Sequence, residues 1–365
     1  MKKKHVVIAG GGTGGHLFPG VALVEEMQRL RNDLRFSFVG SPRGIETRAI
    51  PKLGYDLHTI DVKPLKSGGI GGVFKGLSAL PKSGSQTWKL YNDLSPDLVV
   101  AVGGYAAGPF TLMSAIRGCN TALMEQNAVP GLTNKILSKF VDKCFVSFDK
   151  TVGLLPTEKC VVVGNPVRSM IQQSASTFQY TINDASSFRI LVIGGSGGAR
   201  NLNLGVPKSL KSLPKSVQKK ISIVHQCGRQ RREGAEKSYE GFVGNFTITE
   251  FIDDMMEAYS NCDLLICRAG MSTIAEIALL GIPALYVPIG SGDGHQIPNA
   301  REVVEAQGGW MVYDSECGGE KMSDIISSLI TDKSQLLKAS KAVLKLGRPD
   351  AANQIATICF DAFLS

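Results

Sequence analysis

The residues with the clearest chemical meaning form two glycine-rich loops of the pattern Gly-Gly-[Ser/Thr]-Gly-Gly, at 11–15 and at 194–198. Each loop follows a short apolar run without charge, which predicts a buried strand of a parallel sheet. Glycine allows a sharp turn and lets backbone N–H groups approach a ligand closely. Because the start of a helix attracts anions, a helix after each loop would complete a phosphate-binding site. Two such loops, about half a chain apart, predict that two phosphorylated molecules are bound.

His16 directly follows the first loop and is the candidate general base. A neutral imidazole at the mouth of a helix can take a proton from an attacking hydroxyl group. Two other roles fit the same position equally well, namely contact with a phosphate group and a structural role.

A second constellation spans residues 267–273 and continues to Glu276. The pattern predicts a strand end, a glycine turn and a helix with Ser272 or Thr273 as its N-cap. Glu276 then has the spacing of a capping box relative to Thr273. The alternative function is ribose binding by Glu276, with phosphate near the helix start. Gln296 precedes another predicted helix, where it either binds sugar hydroxyls or is a polar loop residue.

Gly10, Gly12 and Gly15 also satisfy the dinucleotide-binding pattern G-x-G-x-x-G. Such a site needs an acidic residue about 20 residues later, at the tip of the next strand, to hold the ribose. The strands after both glycine loops lack that acid, since they end in Val39-Gly40-Ser41 and Val224-His225-Gln226. NAD is therefore disfavoured, while phosphate binding and simple helix–strand packing both remain open for these glycines.

Polar residues follow two further predicted strands of the first half. Glu125, Gln126 and Asn127 come after the run 121–124, and Tyr105 follows Gly103-Gly104 one strand earlier. Since ligands bind at the carboxyl ends of parallel strands, these residues predict a ligand rim.

Strand-like runs alternate with helical patterns in both halves, which indicates parallel βαβ units and an α/β fold. The predicted strands are Phe36–Val39, Leu57–Val62, Leu98–Val102, Thr121–Met124, Lys143–Val146, Val161–Val163, Arg189–Ile193, Ile221–His225, Phe246–Ile248, Asp263–Cys267, Ala284–Val287 and Trp310–Val312. Helices are predicted at Phe18–Arg31, Thr133–Phe140 and Thr273–Leu280, and a polar surface linker at Gln172–Ser187.

The composition is that of a globular chain of two domains: 365 residues, 43% apolar, 20% charged, with a formal net charge of +8. The positive charge predicts an anionic partner, and nucleic acid ranks last because no run of basic residues is present. The eight cysteines lie far apart without a C-x-x-C pair, which is typical of free thiols in a reducing cytoplasm. The apolar run after Lys2–Lys4 is too short for a signal peptide and is assigned to the first strand.

A stripe of apolar residues at helical spacing, with lysines beside it, follows the glycines at 68–72. Its members are Ile70, Val73, Phe74, Leu77, Leu80 and Trp88, with Lys66, Lys75, Lys82 and Lys89 interleaved. Such a stripe is most often core. The alternative is a membrane-docking patch, apolar with a basic rim.

Seven strings in order resemble the MurG family of undecaprenyl-diphospho-muramoylpentapeptide β-N-acetylglucosaminyltransferases, in glycosyltransferase family 28. They are GGTGGHLFPG (11–20), GGYAAGP (103–109), EQNAVPGLTNK (125–135), GNPVR (164–168), GGSGGAR (194–200), FIDDM (251–255) and CRAGMSTIAE (267–276). The resemblance runs almost end to end, so it is far more specific than one glycine loop.

The resemblance implies a GT-B fold, in which two Rossmann-like, doubly wound parallel-sheet domains face a cleft. It implies an acceptor and membrane-facing domain at 1–165, with 349–365 returning to it, and a UDP-GlcNAc-binding domain at 166–348. The implied reaction moves GlcNAc from UDP-GlcNAc to the C4 hydroxyl of MurNAc in lipid I, with inversion, and gives lipid II and UDP. Neither a cofactor nor a metal ion is expected, because helix ends and loop amides can hold the diphosphate.

The resemblance also assigns site residues by motif position. On the acceptor side it implies Gly12, Thr13, Gly15, His16 as candidate base, Tyr105 and Asn127. For the donor it implies Thr13, Gly14, Asn127, Arg168, Ser196, Ile252, Met271, Ser272, Thr273, Glu276 and Gln296. Two positions depart from the family, since Gly197 and His295 stand where glutamine is common, and the sugar contacts at these positions are in question.

The implied partners are UDP-GlcNAc, lipid I, the anionic inner face of the cytoplasmic membrane and other cell-wall synthesis proteins, without nucleic acid. The chain is expected to be a cytoplasmic protein, peripheral on that membrane. Three rival functions remain: a related glycolipid synthase, a non-catalytic UDP-GlcNAc sensor and an NAD-dependent oxidoreductase.

Overall fold

The computed structural model describes residues 3–62, 84–182, 187–195, 197–290 and 294–364. The chain forms two compact units. The first consists of Met1–Ser169 together with Arg348–Ser365, and the second of Met170–Gly347. Each unit contains its own parallel sheet.

The first unit is built on a seven-stranded sheet. Its strands are β1 (Lys4–Gly10), β2 (Leu34–Gly40), β3 (Asp56–Thr59), β4 (Leu98–Gly103), β5 (Asn120–Glu125), β6 (Lys143–Val146) and β7 (Cys160–Val162). They pair in parallel in the order β3-β2-β1-β4-β5-β6-β7. The central strands β1 and β4 are buried on both faces, which explains their continuous apolar runs.

The helices of the first unit are α1 (Gly14–Leu30), α2 (Glu46–Lys52), α3 (residues 84–94), α4 (Ala107–Ile116), α5 (Leu132–Leu137), α6 (Asp149–Val152) and, after the return of the chain, α16 (Ala351–Phe363). Helix α16 packs against α1. Its buried residues Ile355 and Cys359 join the same core cluster as Leu23 of α1 and Ile8 of β1. The C-terminal helix is therefore part of the core of the first unit.

The second unit repeats the scheme with six strands. They are β8 (Phe188–Ile193), β9 (Ile221–Gln226), β10 (Asn245–Thr249), β11 (Leu264–Cys267), β12 (Ala284–Tyr286) and β13 (Gly309–Met311), paired in parallel in the order β10-β9-β8-β11-β12-β13. The helices are α7 (Ser169–Ala175), α8 (Arg200–Ser212), α9 (Lys215–Gln218), α10 (Arg232–Ser238), α11 (Met255–Ser260), α12 (Met271–Leu280), α13 (Gln296–Glu305), α14 (Glu320–Thr331) and α15 (Ser334–Leu344). Two core clusters line its sheet.

The predicted α/β class and the parallel sheets are confirmed, and every predicted strand overlaps an observed one. The predicted surface linker at Gln172–Ser187 is wrong at its start, because α7 covers residues up to Ala175. Ile171 and Tyr180 are buried in a core cluster of the second unit, and the Tyr180 hydroxyl donates to the Asp263 carbonyl at 2.6 Å. Of these two residues only Tyr180 lies within the predicted linker, so the polar composition of this stretch concealed one buried aromatic side chain.

None of the helices in the described part of the chain has the length and apolar composition needed to cross a membrane. All eight cysteines are free thiols, and five of them are buried.

Candidate functional site

The first glycine loop lies at the point where the strand order of its sheet reverses. The chain passes from β1 through α1 to β2 on one side, while β4 lies on the other side of β1. Crevices at such switch points, outside the carboxyl ends of the strands, are where ligands bind in open parallel sheets. The observed topology therefore brings the loops after β1 and β4 together at a position suited to a ligand.

The backbones of these two loops touch. The Gly11 N–H donates to the Gly103 carbonyl at 3.1 Å. A Cβ atom on Gly104 would lie 2.5 Å from the Gly11 carbonyl oxygen, and one on Gly10 would lie 2.2 Å from that of Gly103. Close packing is thus a real function of these glycines, alongside any contact with phosphate.

Helix α1 begins directly at the loop, with Thr13 as its N-cap residue and no acidic side chain in its first turn. The hydroxyl oxygen of Thr13 lies 3.3 Å from Nδ1 of His16. The half-buried imidazole of His16 covers Gly103, where a Cβ atom would come within 2.9 Å of its Cδ2 atom. The structure therefore brings Gly12, Thr13 and His16 together at a helix start that favours an anion.

The predicted rim after β5 is only partly correct. Tyr105 and Asn127 are half-buried, whereas Glu125 and Gln126 face the protein interior. The Glu125 carboxylate accepts from the backbone N–H and the side-chain amide of Asn127, at 2.9 and 3.1 Å, and from Asn134 at 2.8 Å. Glu125 thus orients Asn127 instead of forming part of the rim. A polar residue at a strand end does not by itself reveal which way the loop folds.

Glu46 is a residue of this region that the sequence patterns did not indicate. It is the first residue of α2 and is fully buried. One carboxylate oxygen accepts from the Gly12 N–H at 2.7 Å, and the other from the Ser41 N–H at 2.8 Å. The loops after β1 and β2 are therefore tied together by one side chain, 34 positions away from the glycine that it holds.

The second glycine loop lies at the corresponding point of the second sheet, between β8 and β11. Ser196 lies outside the described residues. Gly198 has φ +68, and a Cβ atom there would be 2.0 Å from the Cys227 carbonyl oxygen. A Cβ atom on Gly197, by contrast, would meet nothing within 4 Å. A side chain at position 197 would thus have room, whereas position 198 requires glycine because a Cβ atom would collide with the Cys227 carbonyl.

A buried polar network holds the backbone of Cys227, against which Gly198 of the second glycine loop packs. The Asn203 amide donates to the Cys227 carbonyl at 2.9 Å, and its oxygen lies 3.0 Å from Nε2 of His225. Nδ1 of His225 lies 2.9 Å from the Tyr239 hydroxyl. Burial lowers the pKa of His225 to about 4, so the ring is neutral; these partners imply that Nε2 carries the proton and Nδ1 accepts from Tyr239. Near the end of β9, where a dinucleotide-binding domain would have its ribose-binding acid, this chain has His225, which helps to hold Asn203 and Cys227 in place.

The second constellation forms the predicted strand, turn and helix, but the predicted N-cap is wrong. Helix α12 has Gly270 as its N-cap, so Ser272 and Thr273 lie in the first turn, half-buried. Glu276 is buried and accepts a hydrogen bond from the Tyr259 hydroxyl at 3.1 Å. Gly270 can be the N-cap because that position is defined by its extended backbone conformation, and a side-chain hydrogen bond is not essential.

The remaining predicted donor residues are spread over several loops. Ile252 lies half-buried between β10 and α11, and the Gln296 side-chain oxygen accepts from the Ile289 N–H at 3.1 Å. Arg168 is exposed and belongs to the first unit. Arg268, which sequence reasoning passed over, pairs with Asp314 and donates to the Val287 carbonyl, so it holds the ends of β11 and β12 together.

Most of the predicted membrane patch, namely Ile70, Phe74, Leu77, Lys75 and Lys82, lies outside the described residues. Trp88 is described: its side chain is half-exposed, and the guanidinium of Arg117 stacks on its ring at 4.4 Å. In the described part of the chain, His, Cys, Asp and Glu side chains form no group of three that could hold a metal ion.

Comparison with known families accounts for both units. Residues 6–146 match the N-terminal domain of glycosyltransferase family 28, and residues 189–355 match the C-terminal domain of the same family. The chain belongs to glycosyltransferase family 28. The two glycine loops, His16 and Glu276 all fall inside the family 28 matches.

Individual relatives agree with this assignment. A protein of Myxococcus xanthus named UDP-N-acetylglucosamine--N-acetylmuramyl-(pentapeptide) pyrophosphoryl-undecaprenol N-acetylglucosamine transferase is 38% identical over 357 residues, 98% of this chain and 92% of that protein. A transferase of the same name from Geobacter sulfurreducens is 38% identical and covers 96% of each chain. The crystal structure of MurG from Acinetobacter baumannii matches with a TM-score of 0.78 at 29% identity, over 97% of this chain and 98% of that one. The chain is a MurG homologue along nearly its whole length.

We expect Gly198→Ala to destabilise the second unit by about 2–4 kcal/mol, because the new Cβ atom meets a backbone carbonyl at a left-handed φ. Gly197→Ala is the matched control and should change the stability by less than about 0.5 kcal/mol. Both are made in a Trp88→Phe background, where Trp310 fluorescence reports urea unfolding of the second unit. Equal midpoints for the two variants would contradict this loop geometry.

We expect acidification to destabilise the second unit through His225. Its pKa falls from 6.5 when unfolded to about 4 when folded. The unfolded chain therefore binds the extra proton as the pH falls between these values, and stability on the order of 2–3 kcal/mol is lost across that window.

The measurement is urea unfolding followed by Trp310 fluorescence at several pH values, for Trp88→Phe alone and for Trp88→Phe combined with His225→Gln. The variant should have lower stability near neutrality and a flatter pH dependence. The pKa of His5 is also lowered by burial, but this residue lies in the first unit, whose unfolding Trp310 does not report. An unchanged pH slope in His225→Gln would show that another group titrates.

Proposed function

We propose that this chain transfers GlcNAc from UDP-GlcNAc to the C4 hydroxyl of MurNAc in lipid I and releases lipid II and UDP. The observation that carries the proposal is the likeness, over 98% of the chain, to transferases whose names state GlcNAc transfer from UDP-GlcNAc to an N-acetylmuramyl-(pentapeptide) pyrophosphoryl-undecaprenol acceptor. Two glycine loops at two sheet switch points agree with it, since both substrates carry a diphosphate.

On the acceptor side we assign His16 as the general base. The acceptor oxygen forms its bond to C1 of GlcNAc, the bond from C1 to the UDP oxygen breaks, and His16 takes the hydroxyl proton. His16 suits this role because its ring is half-exposed at the start of α1 and is held between Thr13 and Gly103. A single displacement of this kind inverts the anomeric centre. Gly12, Gly15, Tyr105 and Asn127 complete the acceptor side in this proposal.

On the donor side we assign the second glycine loop and the start of α12 to UDP-GlcNAc. The first turn of α12 has no acidic residue, so its amides suit the departing diphosphate. Glu276 is placed on the ribose, and its carboxylate is already oriented by Tyr259. The other donor assignments remain those of the sequence: Thr13, Gly14, Asn127, Arg168, Ser196, Ile252, Met271, Ser272, Thr273 and Gln296.

We propose further that the first unit docks peripherally on an anionic membrane, where a lipid-linked acceptor would reside. Besides Trp88, the described surface of this unit exposes Ile116, Leu132, Ile136 and Phe140, and Ile116 is 70% exposed. Helices α4 and α5, which carry or flank these residues, contact each other. Lys135 and Lys139 are exposed beside Ile136 and Phe140. Apolar side chains with basic neighbours are typical of surfaces that bind anionic lipid.

The reaction is tested by UDP release from a panel of UDP-sugars, with and without a lipid I analogue. We expect turnover with UDP-GlcNAc only when the acceptor is present. His16→Ala should lower kcat by roughly 10²–10⁴-fold and leave the Kd of UDP-GlcNAc nearly unchanged. Glu276→Gln should weaken UDP-GlcNAc binding by about 1–3 kcal/mol, measured by calorimetry.

Each variant is the control for the other, since one acts on the chemical step and the other on donor affinity. Binding of UDP-GlcNAc without turnover by the wild type would favour a sensor. Near-normal kcat in His16→Ala would remove the base assignment, and unchanged UDP affinity in Glu276→Gln would remove the ribose assignment.

The triple variant Leu132→Ser, Ile136→Ser, Phe140→Ser should bind anionic vesicles at least about tenfold more weakly, because each exposed apolar side chain contributes about 1 kcal/mol or more when it leaves water. Turnover on a short, water-soluble acceptor should be unaffected. The matched control is Leu204→Ser with Leu337→Ser, two similarly exposed side chains of the second unit. Equal vesicle sedimentation for both variants would place the membrane contact elsewhere.

A further inference from the structure

Glu46 is a fully buried carboxylate beneath the first glycine loop, and both of its oxygens are engaged by backbone amides. They accept from Gly12, in the loop after β1, and from Ser41, in the loop after β2. Burial of a carboxylate is costly unless hydrogen bonds compensate for the lost water, and charge-assisted bonds of this kind are the strong ones. An apolar side chain at this position would leave both backbone N–H groups without their acceptor.

Three glycines form the walls around this carboxylate. A Cβ atom on Gly11 would lie 2.8 Å from the Glu46 carboxylate, one on Gly40 would lie 2.6 Å from its Cγ atom, and one on Gly44 would lie 2.0 Å from Oε2. The glycines of two consecutive βα loops thus leave room for one particular side chain. Gly12 donates its N–H to Glu46, and a Cβ atom added to Gly12 would meet no atom within 4 Å.

The inward bonds determine which amides of the loop can meet a ligand. The N–H of Gly11 is used by the Gly103 carbonyl, and the N–H of Gly12 by Glu46. The next amides in the chain are that of Thr13, the N-cap residue, and those of Gly14 and Gly15, in the first turn of α1. A helix offers no internal acceptor for the amides of its first turn. An anion therefore meets the amides at the start of α1, while the N–H groups of Gly11 and Gly12 are already used within the protein.

We infer that Glu46 is a positioning residue for the acceptor diphosphate: it clamps Gly12 and Ser41, and thereby directs the first-turn amides of α1 toward that anion. This inference rests on the proposed function, in which the first unit binds the acceptor. Glu46 does not touch the substrate in this role.

The test uses Glu46→Gln and Glu46→Asp in the full chain, with the exposed Glu158→Gln of the same unit as control. Glutamine keeps the shape but presents an amide donor to one of the two backbone N–H groups. Aspartate keeps the charge but is one methylene too short to bridge both loops. We expect both variants to raise the KM for a lipid I analogue roughly 10–100-fold, while the Kd of UDP-GlcNAc changes less than about twofold.

A second readout is independent of turnover. The amide proton resonances of Gly12 and Ser41 should lie far downfield in the wild type, because both bond to a carboxylate, and should move upfield in Glu46→Gln. If the wild type turns over and the acceptor KM of Glu46→Gln stays unchanged, or if only the melting temperature falls, the inference is overturned. If the wild type shows no turnover, the proposed function fails, and the resonances still decide whether the clamp exists.

Gly44→Ala keeps the test decisive if the glutamate variants do not fold. This substitution leaves the carboxylate in place and pushes it away from the loop through the new Cβ atom. It should raise the acceptor KM in the same direction, whereas Gly84→Ala, at a position with nothing within 4 Å, should not. Normal acceptor KM in Gly44→Ala would overturn the inference.

Discussion

The contact between backbones at the tips of β1 and β4 is the constraint on which the site of the first unit depends. Gly10 and Gly11 meet Gly103 and Gly104 so closely that no side chain fits between the two loops. This approach fixes where α1 starts, and therefore where its first-turn amides point. It also places Gly103 under the ring of His16. A loop that must carry out chemistry is thus held by backbone atoms, which have little freedom to move.

The two units solve the same problem with different side chains. In each unit, one buried side chain hydrogen-bonds both to the end of the strand next to the glycine loop and to the backbone of a nearby loop. The first unit uses Ser41, reached by the Glu46 carboxylate, and the second uses His225, reached by Asn203. In a dinucleotide-binding domain this strand tip would carry the acid that holds the ribose. Here the position serves the loop, and in our assignment Glu276 on α12 takes the ribose.

Sequence patterns predicted the fold well because its determinants are local. Short β-branched runs identified the strands in the described part of the chain apart from a few terminal residues, since a strand buried on both faces must be apolar throughout. The glycine loops were found for the same reason. Glu46 and Arg268 were missed because each depends on contacts between distant loops. The inward orientation of Glu125 was missed because it depends on how the following loop brings Asn127 and Asn134 back to the carboxylate. The N-cap of α12 was wrong because Ser272 and Thr273 are favourable caps by residue type, while the backbone selected Gly270.

Helix α16 has a consequence for the order in which the chain acquires its structure. Its residues Ile355, Ala356 and Cys359 belong to the core of the first unit, although they are separated from the rest of that unit by the whole second unit. During synthesis, the continuous segment Met170–Gly347 becomes available for folding before this last core piece has left the ribosome. At roughly 5–20 residues per second, synthesis of this segment takes roughly 10–40 seconds, during which one face of α1 stays uncovered. The unit that is translated first is therefore completed last.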